Sequence, residues 1–257
     1  MHTSAVVRSS AERLVVAATM GPTVHEVHAW RFRVVPGLIE VRADPDRFPA
    51  TRDATGRRLH LSCGAALVNL RLAAAQLGHE AVVRLLPDSG SPALLATVRL
   101  AGRHRVTRAE RLLYAAALRP ANPRSVALHP VRPGQASGAQ VSSLPAFAEL
   151  AEAARLEGAV LHRCDEAPGR AVLTTRGAGP IDWLRAGQAL QRVLLTSAAR
   201  SVAVSFHYEE GAEKPCDTRR VVEPGDVPQV FLELRSALVQ APEDRQDERQ
   251  RHWERVG

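Results

Sequence analysis

The stretch Ser62-Cys63-Gly64-Ala65-Ala66-Leu67, continuing to Ala75-Gln76-Leu77-Gly78 and then Ala81-Val82-Val83, decides how the rest of the chain is read. A second stretch repeats it. Arg185-Ala186-Gly187-Gln188-Ala189-Leu190 continues to Ala198-Ala199-Arg200-Ser201 and then Val202-Ala203-Val204. Aligning Gly64 with Gly187 also aligns Ala66 with Ala189, Leu67 with Leu190, Leu72 with Leu195 and Ala75 with Ala198. Each copy has a glycine near its start, small residues throughout and an apolar run just after. The pattern predicts two long helices that approach each other closely, each followed by a strand. Ser62 is the expected N-cap of the first helix and Asp182 of the second. Duplication within one chain turns a two-fold dimer into a single polypeptide, and such seams often hold ligands.

Around these helices the chain reads as α+β. The spacing Ser9-x-x-Glu12 reads as a capping box for a helix over 11–19, ended by the breaker pair Gly21-Pro22. Strands are expected over 30–35 and 38–42, around a Pro36-Gly37 turn, and again over 81–86 and 93–100. Helices follow over 108–118 and 144–157, with a linker rich in Pro, Gly and Ser from 122 to 140. Further strands are expected over 159–164, 170–174, 202–207 and 229–234. The expected architecture is one mostly antiparallel sheet with flanking helices and two long central helices from an internal pseudo-two-fold repeat. Its parts are a first half over 1–118, a second, shorter half over 119–241 and a polar, charged tail over 242–257.

Composition bounds the function. The chain has 257 residues, 45% of them apolar and 24% charged, which specifies a folded protein. Net charge is +7, and Lys214 is the only lysine. The arginines are scattered along the sequence and aromatics make up only 4%. Nucleic-acid binding is therefore disfavoured unless the arginines gather on one face when the chain folds. Cys63, Cys164 and Cys216 form no CxxC and no even framework, as in a reducing, cytoplasmic setting. No secretory signal is read at the start of the chain, and no apolar run is long enough to cross a bilayer.

Pro22-Thr23-Val24-His25-Glu26-Val27-His28-Ala29-Trp30-Arg31-Phe32 resembles a segment of the FMN-dependent nitroreductase superfamily, Pro-Ser-x-x-Asn-x-Gln-Pro-Trp-Arg-Phe. Together with Asp53-x-x-Gly56-Arg57, Ser62 to Leu67, Trp183 to Leu190 and Pro228-Gln229-Val230-Phe231-Leu232, it resembles the Acg-type branch. In that branch two nitroreductase halves are fused. Resembling segments run from about Arg13 to Leu234.

The resemblance implies a nitroreductase-like fold with FMN between the halves. It also implies a flow of hydride from NAD(P)H through the flavin to a small acceptor, with no catalytic acid or base from the protein. The residues it points to for the cofactor are Pro22, Thr23, His25, Glu26, His28, Trp30 and Arg31 around the ring, and Arg119, Arg124 and Arg235 toward the phosphate. The chain departs from the family pattern in three places. Glu26 stands for Asn, and His28-Ala29 for Gln-Pro. In the phosphate-gripping stretch Leu118 to Arg124, the positions of Arg, a hydroxyl residue and Arg hold Pro120, Ala121 and Pro123. Only 164–182 separates the strand after the 144–157 helix from the second long helix, where the branch has a longer insertion. These departures also favour a non-catalytic flavin-storage protein, or a flavin-free interaction or regulatory protein of the same fold. Loss of a covering segment predicts a homodimer.

Other chemistries fare less well. His25-x-x-His28 and His60-x-x-Cys63 have zinc-ligand spacing, but no further Cys–His pair follows, and no metal is expected. Cys63 reads as small and buried rather than reactive. There is no Gly-x-Ser-x-Gly elbow, Walker A loop or Gly-x-Gly-x-x-Gly fingerprint.

Overall fold

The computed structural model describes residues 14–16, 19, 30–35, 37–44, 46, 53–118, 144–207 and 218–236. Residues 14–16 and 19 are helical. Alternating strands β1 (Trp30–Val35) and β2 (Leu38–Ala43) form an antiparallel hairpin. Gly37 supplies the positive φ of its turn, +73°.

Helix α1 (Arg57–Gln76) starts five residues before the expected cap. Gly56, at φ +74°, reverses the chain, and the Asp53 carboxylate accepts from the N–H groups of Arg58 (3.3 Å) and Leu59 (2.9 Å). The first turn is thereby satisfied without Ser62. Ser62 instead lies buried inside the helix, where its hydroxyl takes the indole N–H of Trp30 at 3.3 Å. Strands β3 (His79–Leu85) and β4 (Leu94–Arg103) complete a four-stranded antiparallel sheet in the order β1-β2-β4-β3. Helix α2 (Arg108–Ala117) opens with a full capping box: the Thr107 hydroxyl accepts from Glu110 N, and Thr107 N donates to the Glu110 carboxylate.

Beyond helix α3 (Leu144–Arg155) the pattern recurs. Strands β5 (Val160–Arg163) and β6 (Arg170–Thr175) pair as a hairpin. Helix α4 (Pro180–Ala199) follows. Its start is set by Pro180 with Asp182 one turn in, whose carboxylate accepts from Gly179 N at 3.3 Å. Asp182 thus serves the first turn from inside the helix rather than as its N-cap. Strand β7 (Val202–His207), a single helical turn α5 (Thr218–Val221) and strand β8 (Val227–Ser236) close the second sheet, ordered β5-β6-β8-β7.

The expected single sheet is therefore two, both antiparallel. Each packs on its own 20-residue helix, and the two helices pack on each other. Because α1 has a neighbour on every side, it is buried almost continuously from Leu61 to Ala75. The core divides accordingly. Ile39, Val41, Leu67, Leu70, Leu95 and Val98 form the first cluster. Leu150, Leu161, Leu173, Leu190, Val193 and Leu232 belong to the second. No helix among the described residues is long and apolar enough to cross a membrane.

The cysteines differ from expectation. Cys164 is disulfide-bonded, which three dispersed cysteines did not announce. Cys63 is a free thiol, seven residues into α1, and burial pushes its pKa far up, so it stays protonated.

Candidate functional site

The junction of α1 and α4 is built around two glycines. A Cβ placed on Gly64 would lie 2.2 Å from the carbonyl oxygen of Leu184, and one on Gly187 would lie 2.1 Å from that of Leu61. The alignment that superposes Gly64 on Gly187 also superposes Leu61 on Leu184. Each glycine thus receives the carbonyl of the residue three before its counterpart, a self-complementary arrangement. The leucines cross over as well: Leu61 is buried in the second cluster and Leu184 in the first. His60, which aligns with Trp183, meets its ring edge to face, with centroids 5.6 Å apart. At the crossing itself, backbone lies against backbone.

Polar groups flank the crossing. Gln191 donates to Asn69 at 3.0 Å in a buried bond between the helices. Arg71 of α1 places Nη2 2.6 Å from both Glu157 oxygens, and Arg192 of α4 reaches the same carboxylate at 3.0 Å. Glu157 is 4% exposed at its side chain, against 29% and 24% for the arginines. One carboxylate beyond the end of α3 therefore ties both long helices. The sequence signal for this clamp was an arginine next to aliphatics in each helix, Leu70-Arg71-Leu72 and Arg192-Val193-Leu194-Leu195. At the other end, Arg57 Nη2 donates to the carbonyl of Gln229 at 2.6 Å, and Gln229 Nε2 donates to Thr175 Oγ1 at 2.8 Å. A hollow of about 150 Å³ lies beside the clamp, lined among others by Val68, Arg71, Leu72, His79, His104 and Arg192. Organic cofactors occupy pockets of roughly 300–1,000 Å³.

Of the residues to which the resemblance assigns the cofactor, Pro22, Thr23, His25, Glu26, His28, Arg119 and Arg124 lie outside the described residues. The other three are placed apart. Trp30 is buried in the first core, edge to face with Phe32 at 5.0 Å and bonded to Ser62. Arg31 points away from that core; its guanidinium is gripped by Asp44 through both Nε and Nη2 (2.7 Å to Oδ1) and reaches Asp46 at 3.5 Å. Arg235 belongs to the second sheet and pairs with Glu233 at 3.0 Å. Trp30 and Arg31 lie on the first sheet and Arg235 on the second, each with a protein partner of its own, so the described residues do not by themselves assemble a site for the cofactor. Among them, too, no group of three His, Cys, Asp or Glu side chains is arranged to hold a metal ion. His60, from the zinc-like spacing, holds the carbonyl of Gly56 at 2.6 Å, and burial lowers its pKa.

Comparison with known proteins agrees with the resemblance. No family model matches the chain. A protein of Mycobacterium tuberculosis provisionally named NAD(P)H nitroreductase, Rv3131, is 38% identical over 85 residues, covering 33% of this chain and 25% of that protein. A second with the same provisional activity, Acg, is 31% identical over 112 residues, covering 44% of this chain and 33% of that protein. The chain is thus related to the Acg-like nitroreductases. The matches span a quarter to a third of the length of these relatives.

Proposed function

We propose that this chain is a nitroreductase-type FMN-binding protein built from two halves, 1–118 and 119–241, related by an approximate dyad through the α1–α4 crossing. The observation that carries the reading is the reciprocal contact of Gly64 with Leu184 and of Gly187 with Leu61. Such exchange is what fusion of a two-fold dimer leaves behind. Identical strand order in the two sheets and kinship with named nitroreductases support it. In this reading FMN lies between the halves, with Pro22, Thr23, His25, Glu26 and His28 toward the ring and Arg119 and Arg124 toward the phosphate. NAD(P)H and a small acceptor are the reaction partners. In this reading the protein is a cytoplasmic homodimer.

A second reading has its own observation. The backbone contact at the crossing and the placement of Trp30 and Arg31 on one sheet and Arg235 on the other favour a member that stores flavin without turnover, or has lost it and serves as an interaction protein. The visible spectrum of the purified protein, with added FMN, separates the readings. A flavin band that reduced nicotinamide bleaches supports the enzyme. A band that does not bleach supports storage. A colourless protein that takes up no FMN removes both flavin readings. Arg119→Ala should weaken FMN retention tenfold or more, since a charged hydrogen bond to phosphate is worth about 1.5–3 kcal/mol. Light scattering tests the dimer, and a monomer would contradict it.

A further inference from the structure

The register of the first sheet gathers what the sequence scatters. Arg31 stands opposite Arg42, Arg33 opposite Glu40, and Thr97 opposite both Glu40 and Arg84; Arg99 stands opposite both Leu38 and Val82. Directly paired residues point to the same side of a sheet. Five arginines, at 31, 33, 42, 84 and 99, therefore share the face turned away from Ile39, Val41 and Val98 of the core. With strands about 4.8 Å apart, they span roughly 14 Å across the sheet. The carboxylates on that face are fewer. Glu40 sits between Arg33 (3.8 Å) and Arg42 (3.5 Å), Glu80 lies on β3, and both the buried Asp44 and the exposed Asp46 (3.5 Å) lie against Arg31. Arg84 and Arg99 are exposed and make no ion pair among the described residues. Between the arginines lie Leu38 and the 40% exposed Val82.

Bias toward arginine in the chain as a whole would load both sheets alike, and it does not. The matching face of the second sheet carries Arg170 and Arg235 with Glu233 between them, and its Val172 and Thr174 are fully buried.

We infer that the outer face of the first sheet is a binding surface for single-stranded nucleic acid, held through its phosphates. Guanidinium groups grip phosphate in a planar, two-bonded fork and also stack on bases. Stacking on this face falls to the guanidinium planes, since Leu38 and Val82 rather than aromatic rings lie between them, and unstacked bases are what a single strand offers and a duplex does not. Among the described residues no helix stands on this face to enter a duplex groove. The inference is independent of flavin binding.

The test is fluorescence anisotropy of a labelled twelve-nucleotide oligo-dT with the full chain, across a salt series from 50 to 200 mM. Neutralising three to five phosphates predicts a log–log salt slope of about −2 to −3.5. Replacing Arg84 and Arg99 together by Gln should reduce the slope by about 1.4 and weaken binding at least tenfold. Both side chains are exposed and make no ion pair among the described residues, so the thermal midpoint should hold. Replacing the same two by Lys should restore the slope, because charge sets it, while affinity recovers only in part. Replacing Arg170 and Arg235 by Gln should change neither. The inference is overturned by absence of binding at 50 mM salt, or by equal loss in the two Gln variants. Equal or tighter binding of the same-length duplex, of heparin or of phosphatidylserine vesicles would also overturn it.

Discussion

The two sheets share strand order and antiparallel sense, yet differ on the side away from the long helices. The first presents solvent-facing arginines around Glu40 and Thr97. The second closes over a polar cluster, in which the Thr174 hydroxyl lies 3.1 Å from His162 Nε2 and 3.3 Å from Asp226 Oδ2, with Arg176 Nε 3.3 Å from the other Asp226 oxygen. Thr174 is fully buried, and the Asp226 side chain is 3% exposed. What the two sheets have in common is what strand pairing and contact with a helix demand: alternating apolar residues on the inner face. What they do not share is unconstrained by that demand. Strand order is common to the two sheets and the outer surface is not.

The sharpest way to break this picture is at the crossing. Gly64→Ala and Gly187→Ala each force a methyl group into a carbonyl that belongs to the other helix's backbone, so neither can yield by a side-chain rotation. Each should cost about 3 kcal/mol or more in urea unfolding. The two losses should be similar, and the double variant should lose less than their sum because the helices separate once. A large loss at one glycine with a negligible one at the other would refute a shared, reciprocal contact.

The clamp comes next. Glu157→Gln leaves Arg71 and Arg192 facing each other with no charge between them. Full burial would make the loss about 3–5 kcal/mol, and partial exposure of the arginines brings it down to about 2 kcal/mol. Denaturant midpoints measure this directly. An unchanged midpoint would mean that the seam is held by packing alone.

Much of this was legible in the sequence. The small-residue periodicity around Gly64 and Gly187 gave both helices and their close approach, because only glycine admits backbone at that distance. Alternation and turn residues located every strand, to within two or three residues at the ends. The helix starts were misread, because Asp53 and Gly56 act through the fold of the preceding loop, and Ser62 looked like a cap only in isolation. The division into two sheets was not legible either, since nothing local states which strand edges stay unpaired. Nor was the arginine face: Arg31, Arg42, Arg84 and Arg99 are far apart in sequence and meet only through register. Of the cofactor residues, Trp30, Arg31 and Arg235 were read from motif likeness, and their partners Ser62, Asp44 and Glu233 depend on tertiary structure.

A matched pair of substitutions sharpens the contrast between the outer faces. Thr174→Val on the closed face keeps shape but strips His162 and Asp226 of their shared hydroxyl, and should cost about 1–2 kcal/mol. Thr97→Val on the open face, at a half-buried strand position, should stay within about 0.5 kcal/mol. Equal effects would show that the faces differ in composition but not in their contribution to stability.

The smallest expected effect lies where the two aligned helices differ. At equivalent positions of the two helices one finds His60 and Trp183, in contact, so one side of the seam titrates and the other does not. Burial lowers the His60 pKa below its ordinary 6.5, despite the carbonyl of Gly56 and the nearby Asp53, which act the other way. In the window between the lowered value and 6.5, the unfolded chain binds a proton that the folded chain refuses. The stability from neutral His60 is complete above pH 6.5 and declines as the pH falls through that window. Unfolding by urea at pH 7.5 and 5.5 should therefore show a larger drop for the natural chain than for His60→Phe, which keeps a ring against Trp183 and cannot titrate. Equal drops in the two proteins would place the imidazole in contact with solvent at the seam, and the aromatic pair would then be a surface contact, not part of the crossing.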